Sequence, residues 1–420
     1  MSRRDFLEDF VGTSLWSVVP TKHRFRYRKD SNAGMKESHR LALTMGGVID
    51  RSLDDTDGLQ SSDYGSYQIF EKGDLAFKLI DLQNIKTSRV GLVPRRGIMS
   101  PAYIRLTPTS DGIYPEFFYW YFYAAYLGNI FNGLGGGIRQ NLSQTELLEF
   151  PVPDIPTEDQ VAIARFLDRE TGLIDGLIEK KTRFIALLKE KRAAVITHAV
   201  TRGIDPDAPM KDSGQDWLGR VPAHWGVVPA TALFTVSGER AREGDQMLSA
   251  TQKYGVIPLA EYEALEQRQV TMAVVNLDMR KHVELGDFVI SMRSMDGGLE
   301  RARAVGSVRS SYAVLKPGPD VEGRFYGALM KSSLYIQALR LTSNFIRDGQ
   351  DLNFSHVRKV KLPKPDLREQ AAIADHIEAE TARIDGLITL TERSIDLLRE
   401  KRAALITAAV TGKIDVRAAA

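Results

Sequence analysis

The sequence predicts an α+β protein in which two mixed α/β heads are separated by a pair of long antiparallel helices, coiled-coil-like, with an internal pseudo-two-fold repeat. The main observation is that EKRAAVITHAVTRGID at 190–205 recurs as EKRAALITAAVTGKID at 400–415. Around these segments, residues 160–205 and 370–415 match without a gap at about 27 of 46 positions. About 150 residues rich in short strand-like runs precede each repeat. We therefore interpret the chain as a duplication.

Composition restricts the class of protein. The 420 residues are 43% hydrophobic and 26% charged, which is typical of a globular protein with two or three domains. The absence of cysteine excludes disulfides, thiolate metal sites and cysteine nucleophiles, and favours a cytoplasmic location. The first residues lack the apolar core of a signal peptide, and the apolar run at 117–131 is too short and too aromatic for a membrane span. With a net charge of only +2, any nucleic-acid binding must come from local basic patches.

The first head is predicted at residues 1–150. Short alternating runs such as Phe25 to Tyr27 and Ala102 to Leu106, interrupted by Gly, Asp and Pro, indicate strands. One helix is expected near Glu116 to Leu127, within the apolar run.

The repeated region is predicted to be helical at 151–205 and again at 361–416. Apolar residues recur at steps of three and four, and prolines before each repeat, such as Pro156 and Pro365, indicate where each helix begins. Roughly forty residues form a helix on the order of 60 Å long, which needs an equally long partner. The other copy is the obvious partner, and two unrelated amphipathic helices are the alternative.

A polar linker is predicted at 206–216, and the second head at 217–360. Strands are indicated at Phe288 to Ser291 and at Tyr312 to Leu315, with a helix near Arg324 to Leu339. The heads show a faint relationship, because several short motifs occur in both at similar spacing. They are Trp-x-Val-Val-Pro at 16–20 and 225–229, Gly-Val-Ile at 47–49 and 255–257, and Gly-Asp at 73–74 and 286–287.

Catalytic motifs are not evident. The glycines at 133 and 135–137 lack the Lys-Ser/Thr of a phosphate-binding loop and are better explained as a turn. A nuclease-like set could be drawn from Pro153, Asp154, Glu179 and Lys181, but Glu-x-Lys would then lie within a strongly predicted helix. The seven histidines show no metal-ligand spacing.

Basic residues near aromatics and amides are the better signal. In the run 22–29, Arg24, Arg26 and Arg28 would share one face of a strand and Phe25 and Tyr27 the other. Guanidinium and amide groups bind phosphates and base edges, so we predict DNA contacts for these arginines and for a further set. That set is Arg95, Arg96, Arg139, Gln140 and Asn141 in the first head, and Arg293, Arg301, Arg303, Arg309, Arg347 and Gln350 in the second. A solvated charged face is the alternative for each residue.

Together these features resemble the DNA-specificity (S) subunit of type I restriction–modification systems, over essentially the whole chain. The marks are the duplicated head and helix, Asp159-Gln160 and Glu369-Gln370 after prolines, Ile-Asp-x-Leu-Ile at 174–178 and 384–388, Glu-Lys-Arg at 190–192 and 400–402, and Trp217-Leu-Gly ahead of His224-Trp225. Asp159 replaces the usual Glu, and the first head lacks the Trp-Leu-Gly approach.

The resemblance implies a subunit that is not itself an enzyme and holds no cofactor or metal. Each head, as a target-recognition domain, would read one half of a bipartite asymmetric DNA site, and the helices would set the unread spacer. The helices would also dock two methyltransferase (M) subunits, and through them the restriction (R) subunits. S-adenosylmethionine, ATP and Mg would belong to those partners. Candidate partner-binding residues are Lys191, Arg192, Lys401 and Arg402, with plain helix solvation as the alternative.

A coiled-coil scaffold that joins proteins without reading DNA is the rival function, and the basic and aromatic heads argue against it.

Overall fold

A computed structural model describes residues 10–12, 14–54, 63–80, 82, 88–134, 141–270, 279–291, 294–342 and 354–416. The chain divides into two compact units, residues 1–182 with 392–420, and residues 183–391. The first unit contains the first head, and the second unit contains the second head. The boundary between the units falls within both long helices, so each unit holds one half of each helix.

The first head is built from short strands around one long buried helix. Its strands are β1 (Val18–Pro20), β2 (Phe25–Arg28), β3 (Arg40–Thr44), β4 (Gly47–Arg51), β5 (Gln68–Phe70), β6 (Leu75–Phe77), β7 (Val90–Leu92), β8 (Gly97–Met99), β9 (Ile104–Pro108) and β10 (Pro151–Pro153). Its helices are α1 (Pro115–Leu127), α2 (Ile130–Leu134) and α3 (Gln144–Leu148), followed by the first long helix α4 (Thr157–Arg202). Two sheets have the orders β2-β9-β6-β7 and β4-β3-β8-β5, and β1 pairs with β10.

The second head repeats part of this plan. Its strands are β11 (Met210–Asp212), β12 (Arg220–Pro222), β13 (Gly226–Pro229), β14 (Phe234–Val236), β15 (Leu248–Thr251), β16 (Gly255–Pro258), β17 (Lys281–Val283), β18 (Phe288–Ile290), β19 (Glu300–Arg301), β20 (Gly306–Val308), β21 (Ala313–Pro317) and β22 (Lys361–Lys364). Its helices are α5 (Leu259–Glu266), α6 (Ser294–Gly297), α7 (Gly323–Met330), α8 (Ser333–Leu341) and α9 (Phe354–Val357), followed by the second long helix α10 (Leu367–Val410). It has the two-stranded pairs β15–β16 and β17–β20 where the first head has its second four-stranded sheet.

The two heads share a four-stranded antiparallel sheet. The order β14-β21-β18-β19 in the second head corresponds to β2-β9-β6-β7 in the first. The β13–β22 pair likewise corresponds to β1–β10, because Val227 faces Pro363 as Val18 faces Pro153. The faint sequence relationship between the heads therefore reflects a common topology.

The repeated Gly-Asp motif forms the same turn in both heads. Gly73 and Gly286 have positive φ angles of 87° and 91°, a region that glycine adopts without strain. The following aspartates are buried, and each carboxylate accepts a backbone hydrogen bond from the residue three positions earlier. Asp74 also accepts from Arg105 Nε at 2.5 Å, and Asp287 from Lys316 Nζ at 2.9 Å. The turn requires both residue types, and both copies retain them.

Within each unit the two long helices run antiparallel. In the first unit, Ile163 and Leu167 near the start of α4 pack in one core with Ile406 and Val410 near the end of α10. In the second unit, Val200 near the end of α4 lies in one core with residues 373 and 377 near the start of α10. The predicted α+β class with paired antiparallel helices is confirmed, and both helices begin just after the prolines that were predicted to mark them.

Two local features differ from the sequence prediction. Part of the predicted linker is structured, since β11 pairs with β12 in a short hairpin. Backbone hydrogen bonds stabilise this hairpin, and because every residue type can form them, the amino-acid composition of the segment did not indicate it. The single helix expected near 324–339 is two helices, because the Ser332 hydroxyl accepts a hydrogen bond from the Tyr335 amide and starts α8 anew.

A buried glutamine joins each head to the helix that follows it. Gln160 Oε1 accepts from the Tyr114 amide at 2.8 Å, and its Nε2 donates to the Ile155 carbonyl at 3.0 Å. Gln370 repeats this arrangement, accepting from the Glu322 amide at 2.8 Å and donating to the Asp320 and Pro365 carbonyls. Each glutamine therefore satisfies buried or partly buried backbone groups that would otherwise lack a partner.

Gln370→Leu tests this connection. We expect a loss of about 2 kcal/mol in the free energy of unfolding, because the partly buried Glu322 amide and two carbonyls would lose their partner. Chemical denaturation of the full chain measures the loss. The matched control is Gln337→Leu at an exposed position of α8, which should change stability by less than about 0.5 kcal/mol. Equal effects of the two substitutions would contradict the proposed role of Gln370.

Candidate nucleic-acid and partner surfaces

The basic strand of the first head has the predicted alternation over β2. Arg26 and Arg28 are exposed on one face, while Phe25 is fully buried and Tyr27 partly buried on the other. Neither arginine has a polar partner among the described residues, so both guanidinium groups face solvent. Arg24 differs from the prediction: it caps a 3-10 turn at Thr21–His23 ahead of the strand and forms an ion pair with Asp154.

The next candidates, Arg95 and Arg96, carry acidic partners on the surface. Arg95 pairs with Asp50, and Arg96 pairs with Glu37 and Glu71. Both arginine side chains are at least half exposed, and exposed ion pairs of this kind contribute little to stability. They could therefore exchange a carboxylate for a phosphate at small cost. Asn141 is exposed, while Arg139 and Gln140 lie outside the described residues.

The second head places its candidate arginines in two locations. Arg309 is exposed just after β20. Arg301 and Arg303 instead line a cleft beside the long helices, together with parts of α7 and α8. Arg293, Arg347 and Gln350 lie outside the described residues.

The Glu-Lys-Arg segments divide between exposed and paired residues. Lys191 and Lys401 are exposed. Arg192 Nε donates to Asp385 Oδ1 at 2.9 Å, and Arg402 Nη2 donates to Asp175 Oδ2 at 3.0 Å, each across to the opposite long helix. Each arginine was predicted as part of an exposed partner surface, but both are half-buried and use their guanidinium group within the chain.

These two ion pairs are related by the repeat. Asp385 lies 210 residues after Asp175, and Arg402 lies 210 residues after Arg192. The two ion pairs therefore join equivalent positions of the repeat, with the arginine on α4 in one pair and on α10 in the other. The antiparallel register is thus the same in both units. The aspartates belong to the Ile-Asp-x-Leu-Ile segments, which are the same in both copies of the repeat. This repetition indicated that the aspartates matter, but the sequence did not show that they bind arginines of the opposite helix.

The two pairs have different surroundings. Arg402 lies 5.9 Å from the ring centroid of Trp120 and 5.8 Å from that of Tyr123, which is within the range of a cation–π contact. Arg192 has no such ring against it among the described residues. The side chain of Arg402 is 21% exposed and that of Arg192 is 41% exposed.

The described residues show no centre for metal chemistry and no membrane span. None of their His, Asp and Glu side chains form a cluster of three or more suited to a metal ion. Within the same part of the chain, none of the helices is long and apolar enough to cross a bilayer.

Comparison with known proteins gives two kinds of similarity. A putative type I restriction enzyme MjaX specificity subunit of Methanocaldococcus jannaschii is 22% identical over 297 residues, covering 66% of this chain and 63% of that protein. A chain from a structure of a type I restriction–modification system, described for its complex assembly and conformational transition, matches with a TM-score of 0.68 and 14% identity, over 95% of this chain and 98% of the other. The fold is that of type I specificity subunits.

A second solved structure supports the same fold. The HsdS subunit from Thermoanaerobacter tengcongensis matches over 95% of this chain and 97% of its own length, with a TM-score of 0.53 and 13% identity. No family model matches the sequence. The chain spans less than two thirds of the curated specificity subunit, whereas it covers nearly all of the two solved chains. The resemblance to type I specificity subunits predicted from the sequence is confirmed.

The unequal burial of the two ion pairs gives a testable difference in stability. We expect Asp385→Asn to cost less than about 1 kcal/mol, as is usual for an exposed pair. Asp175→Asn should cost about 2 kcal/mol, because it leaves a more deeply buried guanidinium without its carboxylate. Chemical unfolding of the two variants measures the difference, and the repeat makes each variant the control for the other. A larger cost for Asp385→Asn would contradict this interpretation.

Proposed function

We propose that this chain is the DNA-specificity subunit of a type I restriction–modification complex, in which each head reads one half of a bipartite asymmetric site. The observation that carries the proposal is a duplicated scaffold with unlike surfaces, in a fold shared with type I specificity subunits. A protein that reads two different half-sites needs the same support twice and a different reading surface each time.

The first strand of the shared sheet illustrates this difference. By the alignment of β2 with β14, Phe25 corresponds to Phe234 and both are buried. The exposed Arg26 corresponds to the exposed Thr235, and Arg28 to Ser237. Arginine hydrogen-bonds phosphates or guanine, whereas Thr and Ser are shorter and neutral. Equivalent positions on one topology thus present different chemistry to DNA.

The long helices would supply the second part of the function. We propose that they set the length of the unread spacer between the half-sites. They would also present nearly the same surface twice, as docking of two methyltransferase subunits requires. The exposed Lys191 and Lys401 are candidates for that surface. Restriction subunits would join through the methyltransferases, which would provide S-adenosylmethionine chemistry. ATP and Mg would act on the restriction subunits, and this chain would be non-catalytic and cytoplasmic.

A scaffold that does not read DNA is the less favoured alternative. It would explain the paired helices but not the solvent-facing arginines of β2. The similarity to a curated specificity subunit also favours DNA reading.

Exchange of one head tests independent reading. Replacing residues 1–150 with the corresponding head of another specificity subunit should change one half-site and leave the other half-site and the spacer unchanged, since each sheet carries its own surface side chains. The measurement is the mapping of methylated adenines in a host that carries the chain with its methyltransferase subunits. The reciprocal control exchanges residues 217–360 and should change the opposite half. A change in both halves after one exchange would contradict the proposal.

Lengthening the helices tests their proposed effect on the spacer. Four residues inserted after Thr182 and four after Glu392 extend each helix by about 6 Å. Because base pairs are spaced at about 3.4 Å, the spacer should grow by about two base pairs while both half-sites stay the same. Methylated-adenine mapping again provides the measurement. Substitution of the exposed Glu179 and Lys180 by alanine is the control that keeps the length, and an unchanged spacer in the insertion variant would contradict the proposal.

A further inference from the structure

The second unit contains a cleft of about 670 Å³ between its head and the two long helices. Its walls come from the second half of α4, the start of α10, helices α7 and α8, and the sheet edge at residues 299–303. The apolar part of the lining consists mainly of small or branched side chains, including Ile196, Ala328, Ile336 and Ile377. A volume of this size is in the range of about 300–1,000 Å³ that is typical of ligand pockets.

The rim of this cleft carries an excess of positive charge. Seven of its lining residues are Lys or Arg, and two are Glu. Both carboxylates are already paired, Glu300 with Lys331 at 2.6 Å and Glu378 with Arg324 at 3.1 Å. Burial raises the pKa of the Glu300 carboxyl, which further limits the negative charge available at the rim.

Three cations of the cleft form no ion pair or hydrogen bond with a carboxylate among the described residues, although Arg303 lies within Coulombic range of Glu300. They are Lys189, Arg301 and Arg303. The Nε of Arg301 is buried and has no hydrogen-bond acceptor in that part of the chain. A buried guanidinium nitrogen without a partner is costly, so the cleft favours a ligand that brings negative charge.

The repeat shows what fills the equivalent place in the first unit. Helix α7 corresponds to α1 with an offset of 208 residues, because Gln370 binds the Glu322 amide as Gln160 binds the Tyr114 amide. The adjacent aromatic pairs agree, since Phe325–Tyr326 and Phe117–Phe118 have ring centroids 5.0 and 5.1 Å apart in the same edge-on geometry. By this offset Tyr119, Trp120 and Tyr123 correspond to Gly327, Ala328 and Lys331.

In the first unit these three aromatic side chains occupy the space beside the helix pair. Trp120 is 6% exposed, and its Nε1 donates to Asp168 on α4 at 2.9 Å. Burial raises the pKa of the Tyr119 hydroxyl, as expected for a ring packed into this space. Arg402 lies over Trp120 and Tyr123. In the second unit Arg192 takes the place of Arg402, but glycine, alanine and lysine replace the rings.

We propose that the cleft of the second unit binds an aromatic side chain of a partner protein, flanked by carboxylates, with one such segment per chain. The ring lies against Arg192 and the apolar wall, as Trp120 lies against Arg402 in the first unit. The flanking carboxylates pair with Lys189, Arg301 and Arg303. The site goes beyond the proposed DNA reading, because it lies on one unit and duplicated partner docking does not account for it.

A protein segment fits the cleft better than a nucleotide base. The first unit fills the equivalent space with side chains of its own helix, so the space has the dimensions of aromatic residues packed on helices.

The test uses a fluorescein-labelled peptide, Glu-Asp-Trp-Glu-Asp, and the full chain in a titration followed by fluorescence anisotropy. We expect saturable binding at one peptide per chain, at least tenfold weaker binding when the tryptophan of the peptide is replaced by alanine, and weaker binding at high salt. Ala328→Trp should abolish binding by filling the cleft as Trp120 fills its counterpart. The matched control is Ala260→Trp at an exposed position of α5, which should leave binding unchanged.

A second variant keeps the test valid if Ala328→Trp does not fold. Arg303→Glu reverses charge at an exposed position and should weaken peptide binding at least tenfold in a protein that remains folded, which a thermal melting curve checks. The proposal is overturned if the peptide fails to bind at millimolar concentration, if the alanine peptide binds equally well, or if the folded Ala328→Trp variant retains binding. It is also overturned if Ala328→Trp or Arg303→Glu weakens binding of duplex DNA instead of the peptide.

Discussion

The antiparallel pairing of the two long helices is the constraint on which the other features of each unit depend. In both units an arginine of one helix binds an aspartate of the other, and the two ion pairs are exact counterparts under the 210-residue repeat. Apolar contacts alone would tolerate a shift along the helices, whereas a guanidinium must meet its carboxylate within hydrogen-bonding distance. These pairs contribute modestly to stability, but they specify the register that brings each head core against the same pair of helix segments.

Each head is joined to this frame through backbone groups. The buried Gln160 and Gln370 bind main-chain amides and carbonyls of the head and of the turn before the helix. Contacts to the backbone do not depend on which side chains the head carries on its surface. The strands of the two heads can therefore keep one topology while their exposed residues differ, which is the combination that a bipartite reader of DNA would need.

The two units nevertheless differ where the head helix meets the long helices. The first unit places aromatic side chains of α1 against Arg402, and the second has small residues of α7 beside Arg192 and an open, positively charged cleft. The same pair of helix segments therefore carries a surface filled by the chain's own aromatic side chains in the first unit, and a cleft that can accept a ligand in the second. Such a difference would allow a partner to distinguish one unit from the other despite their common fold.

The sequence by itself determined the duplication, the positions of the two long helices, the α+β class and the alternation of Phe25, Arg26 and Tyr27, because periodicity, proline and a gapless repeat can be read from the order of residues alone. The sequence also contained the Gln160, Gln370 and Ile-Asp-x-Leu-Ile segments. It did not indicate that the glutamines bind the backbone of the heads or that the aspartates bind the opposite long helix. Only the tertiary structure decided that Arg192 and Arg402 bind aspartates, that Arg24 pairs with Asp154, and that Arg301 and Arg303 line a cleft. The environment of a charged side chain depends on residues far away in sequence, and the charge pattern alone does not specify them.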